Sequence, residues 1–379
     1  MRRLLPLLCG LLLAACGQRA ARPIGDFTLP VYTPRYASGF EITGAAGSRS
    51  TLVTVHNPWY GDEVTDQYLF IARDGEPAPA GFEGQVLRDE ARRVVCMSGS
   101  YIAMLDALGA ADRVVGVSGA QYLINETLRR RIARGEAADV GFDSNVDFER
   151  LMALRPDLVM LFGIGGADTA LTGKLRELGI PYLYMGEHCE ESPLGKSEWV
   201  VVTAEIAGLR TEGSRLFAAI PERYERLRAL AQQTAARPRV MLNTPYRDTW
   251  FMPARNSYMV RLLEDAGARY VFEENTATQT LPIDIEQAYY LTSKSDFWLN
   301  VSGCNTLDEV RRQNPRLADT PPVREGRVYD NNRRRNAAGG SDFWESGVLR
   351  PDRVLADLVH IFHPELSETD ELYYYRQLE

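Results

Sequence analysis

The chain has 379 residues, 45% hydrophobic and 25% charged, with 51 acidic against 43 basic side chains and a net charge of −8. That length suits two domains or one bilobed unit, and the acidic balance argues against general nucleic-acid binding. With four histidines (His56, His188, His360 and His363) and no Cys-x-x-Cys pair, a histidine-rich zinc or manganese site is not expected.

Residues 1–15 read as an export signal. Arg2 and Arg3 give a basic start, Leu4 to Leu13 an apolar run too short to span a bilayer, and Leu13-Ala14-Ala15-Cys16 a small-residue cleavage site. Ending at cysteine makes the site similar to a bacterial lipobox, in which the thiol of Cys16 is acylated. Two or more acyl chains, at about 0.8 kcal/mol per buried CH₂, anchor a protein stably. Removing residues 1–15 takes the net charge to about −10, since no acid leaves with the two arginines. Cys96, Cys189 and Cys304 then remain, an odd number that leaves at least one thiol unpaired, and whether Cys189 and Cys304 pair stays open.

Residues 16–37, rich in Arg, Ala and Pro, read as a tether, and residues 38–91 as a small β extension. In the latter FEIT, STLVTVHN and DQYLFIAR alternate in strand fashion between glycine-rich turns. From residue 92 to 191 short β-rich runs alternate with helical periods: RVVCM then SYIAMLDALGA, RVVGVSG then NETLRRRIARGEA, VDFERLMAL then DLVMLFG. This is the pattern of an α/β lobe with a parallel sheet. Residues 192–235 open on the cap pair Ser192-Pro193 and are helix-forming almost throughout, with Gly208 an expected interruption. Residues 236–379 form a second α/β region of comparable size. A weak echo links the two: Asp147-Phe148-Glu149 and Asp284-Ile285-Glu286 each open a helix, which Asp157 and Asp296 follow at the head of a strand.

Enzyme signatures fail on spacing. Gly116-Val117-Ser118-Gly119 is not a nucleophile elbow, Gly163-Ile164-Gly165-Gly166 lacks the third glycine of a dinucleotide fingerprint, and no GxxxxGK[ST] loop occurs. The run Glu187-His188-Cys189-Glu190-Glu191 gathers metal-ligand types, but adjacent residues rarely converge on one ion; it is expected to cap the helix that follows.

Several stretches together resemble the class III substrate-binding proteins of ABC importers, which carry ferric siderophores, haem or cobalamin. These are RVVCMSGSYIAMLDALGAADRVVGVSG, VGFDSNVDFERLMALRPDLVML, SPLGKSEW with the helical run after it, and GRVYDNNRRRNAAGGSDFWESGVLRPDRVLADLVHIFHPEL. The resemblance implies two Rossmann-like α/β lobes with parallel sheets joined by one long interlobe helix, with the amino-terminal β extension lying outside the common core. It also implies a lipid-anchored monomer facing the periplasm. Its partners are a small metal chelate and a permease dimer, and it carries neither catalysis nor a resident cofactor or metal. One exposed glutamate per lobe meets the permease in that family, and Glu149 and Glu286 match those positions. A two-fold partner is well read by two like charges a fixed distance apart.

Open α/β sheets bind ligands at the carboxyl ends of their strands. That rule selects Ser98 to Tyr101, Gln121, Tyr122, Phe162 and Gly163 in the first lobe. In the second it selects Tyr246, Arg247, Trp250, Arg255, Arg333, Arg334, Arg335, Phe343 and Trp344, of which one or two of the three consecutive arginines can face one pocket. Aromatic faces suit a large planar ligand and arginine forks suit carboxylate or catecholate anions, so a ferric siderophore leads, with haem and cobalamin after it. An exported α/β hydrolase is the alternative from a different class, resting on the acid-rich GEHCEES stretch and on Asp342 to Glu345.

Overall fold

The computed structural model describes residues 21–59, 65–163, 166, 169–246, 249–277, 279–367 and 371–379; the leader 1–15, Cys16 and Arg247 lie outside the described residues. The amino-terminal segment forms one five-stranded sheet, with β1 (Leu29–Tyr32), β2 (Phe40–Gly44), β3 (Thr51–His56), β4 (Asp66–Ala72) and β5 (Gln85–Arg88) in that spatial order. Strands β1 to β4 pair antiparallel and β5 joins β4 in parallel. The three alternating runs are β2, β3 and β4. Strand β1 falls inside the expected tether, so residues 29–37 are part of the fold.

Both faces of this sheet are covered. Ile42, Val53, Val55, Leu69 and Ile71 enter the main core, while Leu52, Phe70 and Ala72 pack with Phe27 on the other side. A strand buried on both faces loses the polar-out alternation, and β4 accordingly reads LFIA without a break.

The first lobe contains β6 (Val94–Cys96), α1 (Gly99–Ala107), β7 (Val114–Val117), α2 (Glu126–Ala133), β8 (Ala138–Asp139), α3 (Phe148–Leu154), β9 (Leu158–Phe162), α4 (Ala170–Glu177) and β10 (Tyr182–Met185). Its sheet is parallel throughout, in the order β10-β9-β6-β7-β8. The connector is three helices: α5 (Pro193–Glu198), α6 (Val200–Ile206) and α7 (Arg210–Ala231). The expected interruption falls at Gly208, whose φ of +68° suits glycine and whose missing Cβ leaves room for Glu90, and a further break that was not expected falls at Trp199. Helix α7 is the long member of the connector and carries the chain to the second lobe. Its 22 residues, about 33 Å long, start beside Glu90 and end where Gln232 donates to the Glu264 carbonyl at 2.7 Å.

The second lobe contains β11 (Arg239–Leu242), β12 (Pro245–Tyr246), β13 (Thr249–Met252), α8 (Tyr258–Asp265), β14 (Arg269–Tyr270), β15 (Leu281–Ile283), α9 (Ile285–Ser293), β16 (Phe297–Leu299), α10 (Leu307–Gln313), α11 (Pro321–Arg324), β17 (Val328–Asp330), α12 (Ser346–Leu349), α13 (Pro351–Phe362) and β18 (Arg376–Gln377). Its main sheet runs β14-β11-β16-β17-β18, parallel except for β18. A small antiparallel sheet, β12-β13-β15, stands apart from it.

The two lobes share one strand order: β7-β6-β9-β10 in the first matches β14-β11-β16-β17 in the second. The aspartate echo has a geometric basis. The Asp157 carboxylate accepts from the Arg92 and Arg93 amides at 2.8 Å, and its own amide bonds the Arg93 carbonyl. Asp296 accepts from the Arg239 amide at 2.7 Å and bonds the Arg239 carbonyl in the same way. Each aspartate thus sets its strand in register with the first strand of its own lobe.

Three buried glutamates of the connector region hold the amino-terminal sheet. Glu190 accepts from the Ser38 and Gly39 amides and from the Trp199 indole. Glu198, fully buried, accepts from the Tyr32 hydroxyl and the Arg35, Tyr36 and Ala37 amides, all at 2.7–2.8 Å. Glu205 takes the Thr51 hydroxyl at 2.7 Å with Arg73 and Arg210; burial alone would raise its carboxyl, but these partners together hold it below the ordinary value. A buried carboxylate is tolerable when its oxygens are filled with donors. Replacing Glu198 by Ala takes the acceptor from the Tyr32 hydroxyl and from three part-buried amides, at about 1 kcal/mol or more each. Denaturant unfolding of Glu198→Ala is expected to show a loss of at least about 3 kcal/mol; a loss under about 1 kcal/mol would contradict the clamp.

Candidate functional site

The carboxyl ends of the two parallel sheets meet along two seams. On one, the loop after β17 crosses to the first lobe. The Asn336 side-chain amide donates to the Gln121 and Leu123 carbonyls at 2.9 and 3.1 Å, and the Glu345 carboxylate accepts from the Ile124 and Asn125 amides at 2.6 and 2.9 Å. Gly340 makes this approach possible, because a Cβ there would fall 1.7 Å from the Tyr122 carbonyl oxygen. On the other seam Asn256 bonds Glu191, and the buried Lys196 ammonium lies 4.5 Å over the Tyr258 ring.

Near the first seam, Gln121 and Tyr122 are exposed, and the Tyr122 ring lies 6.2 Å from Phe142, itself exposed and not among the expected residues. Gly119 packs between those two rings. Ser98 caps α1 and bonds the Ser100 hydroxyl, which donates to Glu187. Phe162 lies against the His188 ring at 4.4 Å, and Tyr246 is 66% exposed on β12.

Three expected ligand residues have other surroundings. Tyr101 is completely buried and donates to the Leu161 carbonyl, because α1 is covered on every side. Trp250 is 1% exposed, donates to the Leu242 carbonyl and packs on Trp298, so it belongs to the core of the second lobe. Arg255 pairs with Glu264 at 2.5 Å beside Arg269 and Tyr270, around a separate cleft.

The arginine run divides by direction. Arg334 turns onto Asp342 at 2.6 Å and over the Tyr373 ring. Arg333 and Arg335 line a cleft of about 430 Å³ with Asn305, Asn332, Asn336 and Arg376. This cleft lies at the carboxyl ends of β16 and β17. Arg376 comes from β18, unremarked in the sequence; Asn332 and Asn305 hold its guanidinium at 2.6 and 2.9 Å. Beneath lies Asp330, whose carboxyl burial pushes up to about 6 against the opposing pull of Arg335 and Arg376. Phe343 is buried, and Trp344, edge-on to it at 4.8 Å, is 56% exposed.

Glu149 and Glu286 occupy equivalent, exposed places. Asp147 caps α3 through the Arg150 amide and Asp284 caps α9 through the Gln287 amide, which puts both glutamates in the first turn. Glu286 also pairs with Arg316 at 3.1 Å. Three residues after each stands an exposed apolar side chain, Met152 or Tyr289.

The GEHCEES residues diverge instead of converging. Glu187 takes the Ser100 hydroxyl, His188 bonds the Gly163 carbonyl at 2.8 Å, and Glu190 holds residues 38–39; the helix cap itself is Ser192. Burial, aided by Lys196, lowers His188 to about 4. Cys96, Cys189 and Cys304 are free thiols. Among the described residues no helix is long and apolar enough to cross a membrane.

A family model described as periplasmic binding protein matches residues 94–333. The chain is 25% identical over 332 residues to an uncharacterized lipoprotein of Methanocaldococcus jannaschii, covering 82% of this chain and 77% of the relative. A second uncharacterized lipoprotein of that organism is 22% identical over 330 residues, covering 83% and 81%. Among solved structures, a periplasmic haem-binding protein from Pseudomonas aeruginosa superposes with a TM-score of 0.59 at 19% identity, covering 76% of this chain and 98% of that one. An ABC-type Fe³⁺-hydroxamate transport protein from Saccharomonospora viridis gives 0.53 at 17% identity, covering 72% and 94%. These structural likenesses establish the fold.

Burial raises Glu345 from 4.5 to about 7, with Asp342 adding to the shift and the Ile124 and Asn125 amides opposing it. A carboxyl raised in the folded state stabilises the fold below its unfolded pKa, and that contribution disappears as pH climbs through the folded one. Between about pH 4.5 and about pH 7, urea unfolding of the wild type is therefore expected to lose stability that Glu345→Gln does not lose. Equal pH slopes for the two proteins would contradict the assignment.

Proposed function

The chain belongs to the periplasmic binding protein family, and on that footing we propose that it captures an iron–siderophore-type chelate between its two lobes and delivers it to the permease of an ABC importer. The observation that carries this reading is the guanidinium cleft of Arg333, Arg335 and Arg376 on an otherwise acidic protein. It adjoins the seam that bears Tyr122, Phe142 and Trp344. Arginine forks match carboxylate and catecholate oxygens in pairs, and exposed aromatic faces cover the flat parts of a chelate. Ser98, Gln121 and Tyr246 complete the set we assign to the ligand. Arg247, outside the described residues, keeps its place in that assignment from the sequence.

Function here is capture and presentation, with no bond made or broken. The Pseudomonas protein is named for haem and the Saccharomonospora protein for an Fe³⁺-hydroxamate, so the fold serves both ligand types. Haem is the second reading for this chain, because exposed Tyr122 and Tyr246 offer phenol oxygens as axial ligands; a corrinoid comes third. We assign Cys16 as the acylated anchor of a monomer facing the periplasm, a reading that the lipoprotein names of the two relatives support. Glu149 and Glu286 are assigned to permease docking, with Met152 and Tyr289 as their apolar companions.

Two experiments test the proposal. The double variant Arg333→Glu/Arg335→Glu is expected to bind a ferric tricatecholate at least about thirtyfold more weakly, the scale of removing a desolvated charge pair. Unchanged affinity would remove the arginine cleft from the site. The double variant Glu149→Arg/Glu286→Arg is expected to keep ligand affinity and to abolish uptake by cells carrying the cognate importer; normal uptake would contradict the docking assignment.

A further inference from the structure

We infer that the amino-terminal sheet, and not either lobe, closes one end of the ligand cleft, with Pro58 and Trp59 as the closing residues. The inference rests on the proposed binding of a chelate at the carboxyl ends of the strands. At the end of β3 the chain turns at Asn57, whose φ of +42° lies in the left-handed region that asparagine tolerates better than most residues. The turn aims Pro58 and Trp59 at the first lobe. The Trp59 ring, 4% exposed, packs edge-on to Tyr184 of β10 at 5.7 Å. Pro58 lies across the ends of two strands. A Cβ on Gly163, just after β9, would stand 3.7 Å from the Pro58 carbonyl oxygen, and one on Gly186, just after β10, would stand 3.5 Å from its Cα. Both strands end in glycine where the backbone of the extension presses down on them.

Ligands of open α/β sheets gather beyond the carboxyl ends of the strands. In this lobe the extension covers the ends of β9 and β10, while the loop after β17 meets those of β6 and β7 through Glu345 at Gly99 and Gly340 at Tyr122, so the extension and the second lobe divide the carboxyl ends of this sheet between them. The cap is fixed in place: β3 is paired along its length with β2 and β4, and Glu190 and Glu198 hold residues 35–39 immediately before β2. The 94–333 match to the family model begins after this sheet, so the boundary is an addition to the two-lobe frame. Its consequence is selectivity for compact chelates, since a bulky one needs the space that Trp59 and Pro58 fill.

The test compares affinities of wild type and Trp59→Ala for a compact ferric trihydroxamate, haem and cyanocobalamin. The ratio of affinities, bulkiest probe over compact probe, is expected to rise at least about tenfold in the variant, as expected when a shaped wall is removed. Should Trp59→Ala fail to fold by near-ultraviolet circular dichroism, Trp59→Leu keeps an apolar filler and is expected to shift the ratio in the same direction. An unchanged ratio in a folded variant would overturn this inference alone. A wild type that binds none of the three probes would overturn the functional reading and this inference with it.

Discussion

Buried carboxylates filled with backbone amides hold this molecule together. Glu190, Glu198 and Glu205 accept donors from residues 32–39, 51 and 73, and so tie the amino-terminal sheet to the connector that follows the first lobe. Desolvating three carboxylates is costly, and the structure offsets it with amide, hydroxyl and guanidinium donors in place of bulk water. Everything on the binding face inherits its position from this arrangement. The connector sets where α7 begins, α7 sets the spacing of the lobes, and the fixed sheet sets where β3 delivers Pro58 and Trp59.

The lobes are one plan used twice. Four strands shared by both lobes run in the order 2-1-3-4, and each lobe has an Asp-capped helix with an exposed glutamate in its first turn and an aspartate that bonds the opening of the lobe's first strand. The edges differ, with β8 beside β7 in one lobe and the antiparallel β18 beside β17 in the other. That second edge brings Arg376 to the arginine cleft, so the more cationic half of the site depends on the last strand of the chain.

Much of this was legible in the residues. Alternating runs marked β2, β3 and β4, helical periods marked both lobes, and the Asp-x-Glu echo marked equivalent helix starts. What escaped has physical reasons. Strands β12 and β18 are two residues each, too short for any period to register. Tyr101 and Trp250 were expected in the cleft because they stand near strand ends, but position along a chain does not say which way a ring points. Helix α1 is covered on every side, so no polar face betrayed its orientation. Glu190 read with its neighbours as part of a helix cap, and Glu198 and Glu205 carried no expected role; the usable signal was that these two stand seven residues apart in the apolar run EWVVVTAEI. Arg376, alone near the carboxyl terminus, carried no signal. The direction of Arg334 away from its two neighbours follows from Asp342 and Tyr373, which only folding brings beside it.

The central claim is that one chelate binds between the lobes. It is tested most directly by titrating the chain from residue 17, which keeps every described residue, with ferric siderophores, haem and cobalamin while following tryptophan fluorescence. Trp344, more than half exposed on the same loop as Arg333 and Arg335, should be quenched by a coloured ligand. One saturable, sub-micromolar transition of unit stoichiometry is expected for a ferric chelate. A flat response to all three ligand classes would contradict it.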